Sequence, residues 1–212
     1  MSSTLEQITE QLIKGKANDV RALVQKAIDE KVKPADILNK GLLAGMSIVG
    51  ERFKKNEVYV PEVLIAARAM KAGTEILKPL LVAAGVKPVG TVVIGTVKGD
   101  LHDIGKNLVG MMLEGAGLRV VDAGINVEPE TMLKLARENN ATIIGASALL
   151  TTTMTNMKTI VEAVKAAGLS GKIKVMIGGA PVTQAFCDEI GADGYAPDAA
   201  SAADLAKALL KK

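Results

Sequence analysis

Beyond residue 90 the chain alternates short apolar runs with amphipathic stretches, and that alternation constrains the fold more than any other feature. Thr91–Val97, Arg119–Asp122, Thr142–Ala148 and Lys174–Ile177 read as strands, with Gly194–Ala196 a weaker fifth. Apolar residues follow one another in these runs without polar alternation, as in strands covered on both faces. Helices are expected between them near Asp103–Glu114, Pro129–Glu138, Met154–Ala166 and Val182–Glu189, with a last one at Ala199–Leu210. Such an order gives a parallel sheet with right-handed crossovers.

The first 85 or so residues follow a different pattern. Thr4-Leu5-Glu6-Gln7 has capping-box spacing, and Val20, Leu23, Val24, Ala27 and Ile28 recur at helical period. Pro34 suits the first turn of a third helix carrying Leu38, Leu42, Met46, Val49 and Phe53. Val60-Pro61-Glu62 opens a fourth that runs through Leu64, Ala67, Met70 and Leu77. Gly85-Val86-Lys87-Pro88-Val89-Gly90 reads as a linker. The expected class is therefore α/β: an N-terminal four-helix bundle, then a five-stranded parallel sheet in the doubly wound, flavodoxin-like (Rossmann-like) order.

Ligands of such sheets sit at the carboxyl ends of the strands, and three of those ends carry chemistry. Strand one runs into Gly99-Asp100-Leu101-His102-Asp103-Ile104-Gly105, strand three into Ser147-Ala148-Leu149-Leu150-Thr151-Thr152-Thr153, strand four into Gly178-Gly179. His102 is the chain's one histidine and Cys187 its one cysteine, too few N and S donors for a protein-only zinc site. An imidazole tied by one ring nitrogen to Asp100 offers the other to a metal held by a macrocycle. Taken by itself, the pair reads first as a loop histidine satisfied by a neighbouring acid.

The longer pattern carries a resemblance. Asp100-x-His102-x-x-Gly105, then 41 residues, Ser147-x-Leu149, then 28 residues, Gly178-Gly179 is similar to the cobalamin-binding signature of methionine synthase, coenzyme-B12 mutases and corrinoid proteins. Val49-Gly50-Glu51-Arg52-Phe53 and Val58-Tyr59-Val60-Pro61-Glu62-Val63 resemble the helical cap of the methyl-transferring branch. The whole chain thus resembles the corrinoid methyl carriers of three-component methyltransferase systems, with residues 1–88 as cap and 89–212 as the Rossmann-like cobalamin-binding domain. The resemblance implies cobalamin or a related corrinoid, alternating between cob(I)alamin and methylcob(III)alamin, with His102 on the cobalt. It implies Asp100 and Thr153 as a relay behind that ligand. Gly99, Leu101, Asp103, Ile104, Gly105, Ser147, Leu149, Thr151, Gly178, Gly179 and Ala199 would contact the cofactor. The glycines would leave room for its nucleotide tail. Phe53 and Val60 would cover the methyl face, where bundle core is the plainer reading. Asp122 and Gly124, placed after strand two, look like corrin-edge contacts or ordinary loop residues.

As a carrier, such a protein has no catalytic residue of its own. Its implied partners are a substrate-specific methyltransferase, a second one dependent on tetrahydrofolate or a thiol, and a reductive activase. Methanol, methylamines, betaines and methoxylated aromatics are the donors such systems use. Other classes fit less well. Gly95, Gly99 and Gly105 do not form GxGxxG, which argues against a dinucleotide enzyme. A phosphoacceptor receiver needs paired acids after strand one and has no such cap; a mutase subunit shares the sheet but not this cap. A cobalamin sensor remains the alternative, though it would need a DNA-reading module. The net charge of +3 is scattered and aromatics are 2%, so nucleic acid is not an expected partner. No signal peptide or run of about 18 apolar residues is visible, so a cytoplasmic protein is expected. Cys187 is expected to be a small buried hydrophobe.

Overall fold

A computed structural model describes residues 3–211. They divide into two compact units, Met1–Pro88 with Gly115–Gly117, and Val89–Glu114 with Leu118–Lys212.

The first unit is helical. It contains α1 (Thr4–Ile13), α2 (Ala17–Asp29), α3 (Pro34–Asp36), a π-helical segment (Ile37–Leu43), α4 (Ala44–Lys54) and α5 (Val60–Ala83). The stretch from Pro34 to Lys54 is one helical run in place of the regular third helix expected. Its π-turn is a feature apolar periodicity does not reveal. The Thr9 hydroxyl donates to the Gly41 carbonyl at 2.9 Å, beside the Ala44 N–H. Apolar stripes meet inside, burying Ile8, Leu12, Val20, Val24, Ile37, Leu42, Met46 and Leu77. Leu64, expected on the buried face of α5, is instead 39% exposed, while its neighbour Val63 is buried. The capping box begins one residue earlier than its spacing suggested: Ser3 accepts from the Glu6 N–H, and Glu6 accepts from the Ser3 N–H.

The second unit is an all-parallel five-stranded sheet in the order β2-β1-β3-β4-β5, the doubly wound, flavodoxin-like arrangement. Its strands are β1 (Thr91–Val97), β2 (Arg119–Val127), β3 (Ile143–Ser147), β4 (Lys174–Gly178) and β5 (Gly194–Ala196). Between and after them come α6 (Ile104–Gly115), α7 (Pro129–Glu138), α8 (Thr151–Met154), α9 (Asn156–Ala166), α10 (Gln184–Ile190) and α11 (Ala199–Leu209). Interior strand β1 is buried along all but its first residue, and Val93, Ile144, Val175, Met132, Met157 and Ile160 form one continuous core. The helix expected over Met154–Ala166 is two elements that part at Thr155.

The largest departure from the sequence reading is β2. It continues five residues past Asp122 because Gly124, at φ 92°, forms an irregularity that shifts the register against β1 without ending the pairing. Asp122 and Gly124 therefore lie within a strand, not after one.

Candidate functional site

Register aligns the carboxyl ends of the strands. Thr96 of β1 lies opposite Ser147 of β3, Ser147 opposite Gly178 of β4, and Gly178 opposite Ala196 of β5. The loop leaving β1 carries Gly99 to Asp103 over this row, and α6 begins at Ile104 with Gly105 in its first turn.

Asp100 is completely buried at the centre. Its Oδ1 accepts from the His102 backbone N–H at 3.0 Å and lies 2.7 Å from His102 Nδ1. Its Oδ2 accepts from the Thr153 hydroxyl at 2.6 Å and from the Leu149 N–H at 2.8 Å. Burial opposes ionisation of this carboxyl. The donors, led by the Thr153 hydroxyl and followed by the His102 and Leu149 amides and the His102 ring, outweigh burial and hold it well below the usual carboxylate range. An ionised Asp100 takes the Nδ1 proton as its hydrogen bond, so Nε2 carries the ring's lone pair. The imidazole is half exposed.

Around that ring the surface is unexpectedly apolar. Leu101 is 66% exposed, Ile104 80% and Leu149 45%, a grouping that costs free energy in water unless something covers it. A Cβ added at Gly105 meets nothing within 4 Å. Among the described residues, no cluster of three or more His, Cys, Asp or Glu side chains could hold a metal ion. The donor set therefore suits one axial position of a metal whose other ligands come from a flat organic ring. Open space at Gly105 and an apolar rim suit the ring itself.

The remaining residues of interest are placed as follows. Ser147 ends β3 half-buried, Thr151 opens α8 exposed, and Ala199 opens α11 buried. Packing within the chain already demands a glycine at 179: its φ is 131°, and an added Cβ would lie 1.8 Å from the Ala148 carbonyl oxygen. At Gly178 the Cβ would come 3.1 Å from the Ala196 carbonyl oxygen. Phe53 and Val60 belong to the helical unit, in the last turn of α4 and the first of α5. Asp122 receives a bond from the buried Lys106 ammonium at 2.6 Å and accepts from the Gly124 N–H at 2.8 Å. Cys187 is buried, and burial pushes its thiol up.

Sequence reasoning missed three side chains that hold the loop's main chain. The wholly buried Thr96 hydroxyl donates to the His102 carbonyl at 2.8 Å. Asn126 Oδ1 accepts from the Gly99 N–H at 2.7 Å, and the Asn156 amide donates to the Lys98 carbonyl at 2.9 Å. Thr96 lies just before the string that carries the resemblance, and a bond to a backbone atom has no residue-type signature.

Residues 90–204 match the family described as B12 binding domain, and residues 4–78 match a second family of the same description. The dimethylamine corrinoid protein of Methanosarcina barkeri is 47% identical over 97% of both chains. A corrinoid protein of Desulfitobacterium hafniense (strain Y51) is 42% identical over 99% of both. Among solved structures, the methanol:cobalamin methyltransferase complex from Methanosarcina barkeri contains a chain with TM-score 0.87 and 32% identity, covering 98% of this chain and 80% of that one.

Proposed function

The chain belongs to the B12-binding corrinoid proteins, and on that premise we propose that it carries a methyl group on a corrinoid held through His102, between a substrate-specific methyltransferase and a second methyltransferase. The observation that carries the assignment is the wholly buried Asp100, which holds His102 Nδ1 and leaves Nε2 free at an apolar, half-exposed surface. A bound corrinoid supplies the cobalt centre that accepts and releases the methyl group.

The chain's own residues do the positioning. Asp100 fixes the imidazole's tautomer and orientation, and Thr153 holds Asp100. Leu101, Ile104 and Leu149 supply apolar surface, and Gly105 leaves it unobstructed. Ser147, Thr151, Gly178, Gly179 and Ala199 are assigned to the nucleotide tail, Gly99 and Asp103 to the loop that frames the ring. Phe53 and Val60 are assigned to shielding the methyl face, and the helical unit to the cap. A reductive activase completes the partner set. The names of the relatives, dimethylamine corrinoid protein and methanol:cobalamin methyltransferase complex, favour methylamines or methanol as donor. Among the described residues, no helix is long and apolar enough to cross a membrane.

The test is reconstitution. The purified chain should take up one equivalent of cobalamin. After reduction it should consume methylamine or methanol when mixed with the matching methyltransferase, and deliver the methyl group to a thiol or tetrahydrofolate acceptor when a second is added. Tight cobalamin binding without methyl uptake from any donor and methyltransferase pair would leave a binding protein and remove the carrier.

A further inference from the structure

The Asp100–Thr153 pair orients the imidazole ring, but a ring can be placed only as well as the main chain that bears it. That main chain is held at three points by residues outside the relay. Thr96, wholly buried on β1, donates to the carbonyl of His102 itself at 2.8 Å. Asn126, at the end of β2, accepts from the Gly99 N–H at 2.7 Å, while its backbone N–H donates to the Asp100 carbonyl at 3.0 Å. Asn126 has φ 52°, a left-handed conformation that Asn tolerates better than most residues. It reaches the loop because the irregularity at Gly124 carries β2 on past Asp122. Asp122 in turn is tied to the buried Lys106 of α6, the helix that the loop enters.

We propose that Thr96 and Asn126 are positioning residues that fix the main chain of the axial-histidine loop before any ligand arrives, so that His102 meets the metal without rearrangement. This rests on the reading of His102 as the axial ligand. A pre-set ligand avoids paying ordering entropy on binding, so loosening the loop should leave the cofactor bound but less often through the histidine. Thr96 is the sharper of the two. Replacing its hydroxyl by a methyl removes the part-buried donor to the His102 carbonyl, while Val suits a strand interior.

The experiment compares the parent with Thr96→Val, Thr96→Ser and Asn126→Gly. Each full-length protein is loaded with cobalamin and reduced to cobalt(II), and the share of the electron paramagnetic resonance signal showing nitrogen coupling from His102 is measured. Amide hydrogen exchange at Gly99 and His102 is followed in the ligand-free proteins. A histidine-coupled signal in the parent tests the underlying reading; the ratio of variant to parent tests the inference. Thr96→Val should lower the coupled share and speed cobalamin release about tenfold, the effect of one lost hydrogen bond, and Thr96→Ser should restore both. Asn126→Gly, which tolerates the left-handed backbone but lacks the acceptor, should speed exchange at Gly99 in the ligand-free chain. An unchanged coupled share in Thr96→Val, equal losses in Thr96→Val and Thr96→Ser, or unchanged Gly99 exchange in Asn126→Gly would each overturn the proposal. Should Thr96→Val fail to fold, the ligand-free exchange of Asn126→Gly decides.

Discussion

Asp100 is the residue on which the site turns, because five donors converge on a carboxylate that solvent does not reach. In Asp100→Asn, one side-chain oxygen becomes an NH2 group facing donors that already point inward. We expect the ligand-free variant to lose about 2–3 kcal/mol, the scale of hydrogen bonds to a charged group, read by denaturant unfolding. The loss should depend on pH. The folded carboxyl lies below its ordinary range, so its contribution is complete above the unfolded value of about 4 and declines as pH falls below that. The gap in melting temperature between parent and Asp100→Asn should therefore be constant near neutrality and narrow in acid; a gap that widens in acid would contradict this. Thr153→Val removes one donor and should cost about 1–2 kcal/mol, with Thr153→Ser recovering most of it. Asp100, His102 and Thr153 were legible in the sequence because they fall in recognisable local strings. Thr96, Asn126 and Asn156 were not, since they act on backbone atoms across 6, 27 and 58 residues.

At the scale of elements, the glycines divide into those the fold needs and those a ligand would need. Gly179→Ala drives a Cβ into the Ala148 carbonyl at an unfavourable φ and should cost more than about 3 kcal/mol of stability, with or without cofactor. Gly105→Ala, in a first helical turn with open space above it, should stabilise the ligand-free chain by about 0.5 kcal/mol. The same change should weaken cobalamin binding by about tenfold, an ordinary overpacking penalty. Calorimetric melting and cobalamin titration of this one variant should therefore move in opposite directions; parallel movement would mean that the corrinoid ring lies elsewhere. Gly178→Val is a poorer probe, because its Cβ already meets the Ala196 carbonyl. Strands β1 and β5 and helix α7 have the bounds their apolar runs suggested. Strand β2 does not, because Asp122 and Gly124 read locally as terminators, whereas Lys106 pairs the acid and a left-handed glycine keeps the strand running. The π-turn at Ile37–Leu43 and the break at Thr155 also escape a periodicity argument, since both lie within otherwise helical patterns.

For the whole molecule, the alternation of strands and helices specified the sheet order because right-handed crossovers leave few topologies for five parallel strands. Every side chain placed around His102 belongs to the second compact unit. Residues 89–212 expressed by themselves should thus retain cobalamin through the histidine and lack methyl transfer with a partner methyltransferase. Full transfer by that fragment would show that the helical unit has no part in the reaction. The central claim, that His102 supplies the metal's axial ligand, can be read at one atom. The full-length chain labelled with nitrogen-15 histidine, loaded with cobalamin and reduced to cobalt(II), should change its superhyperfine splitting from the three-line pattern of nitrogen-14 to the two-line pattern of nitrogen-15. Splitting indifferent to the label would place another nitrogen on the metal and contradict the account.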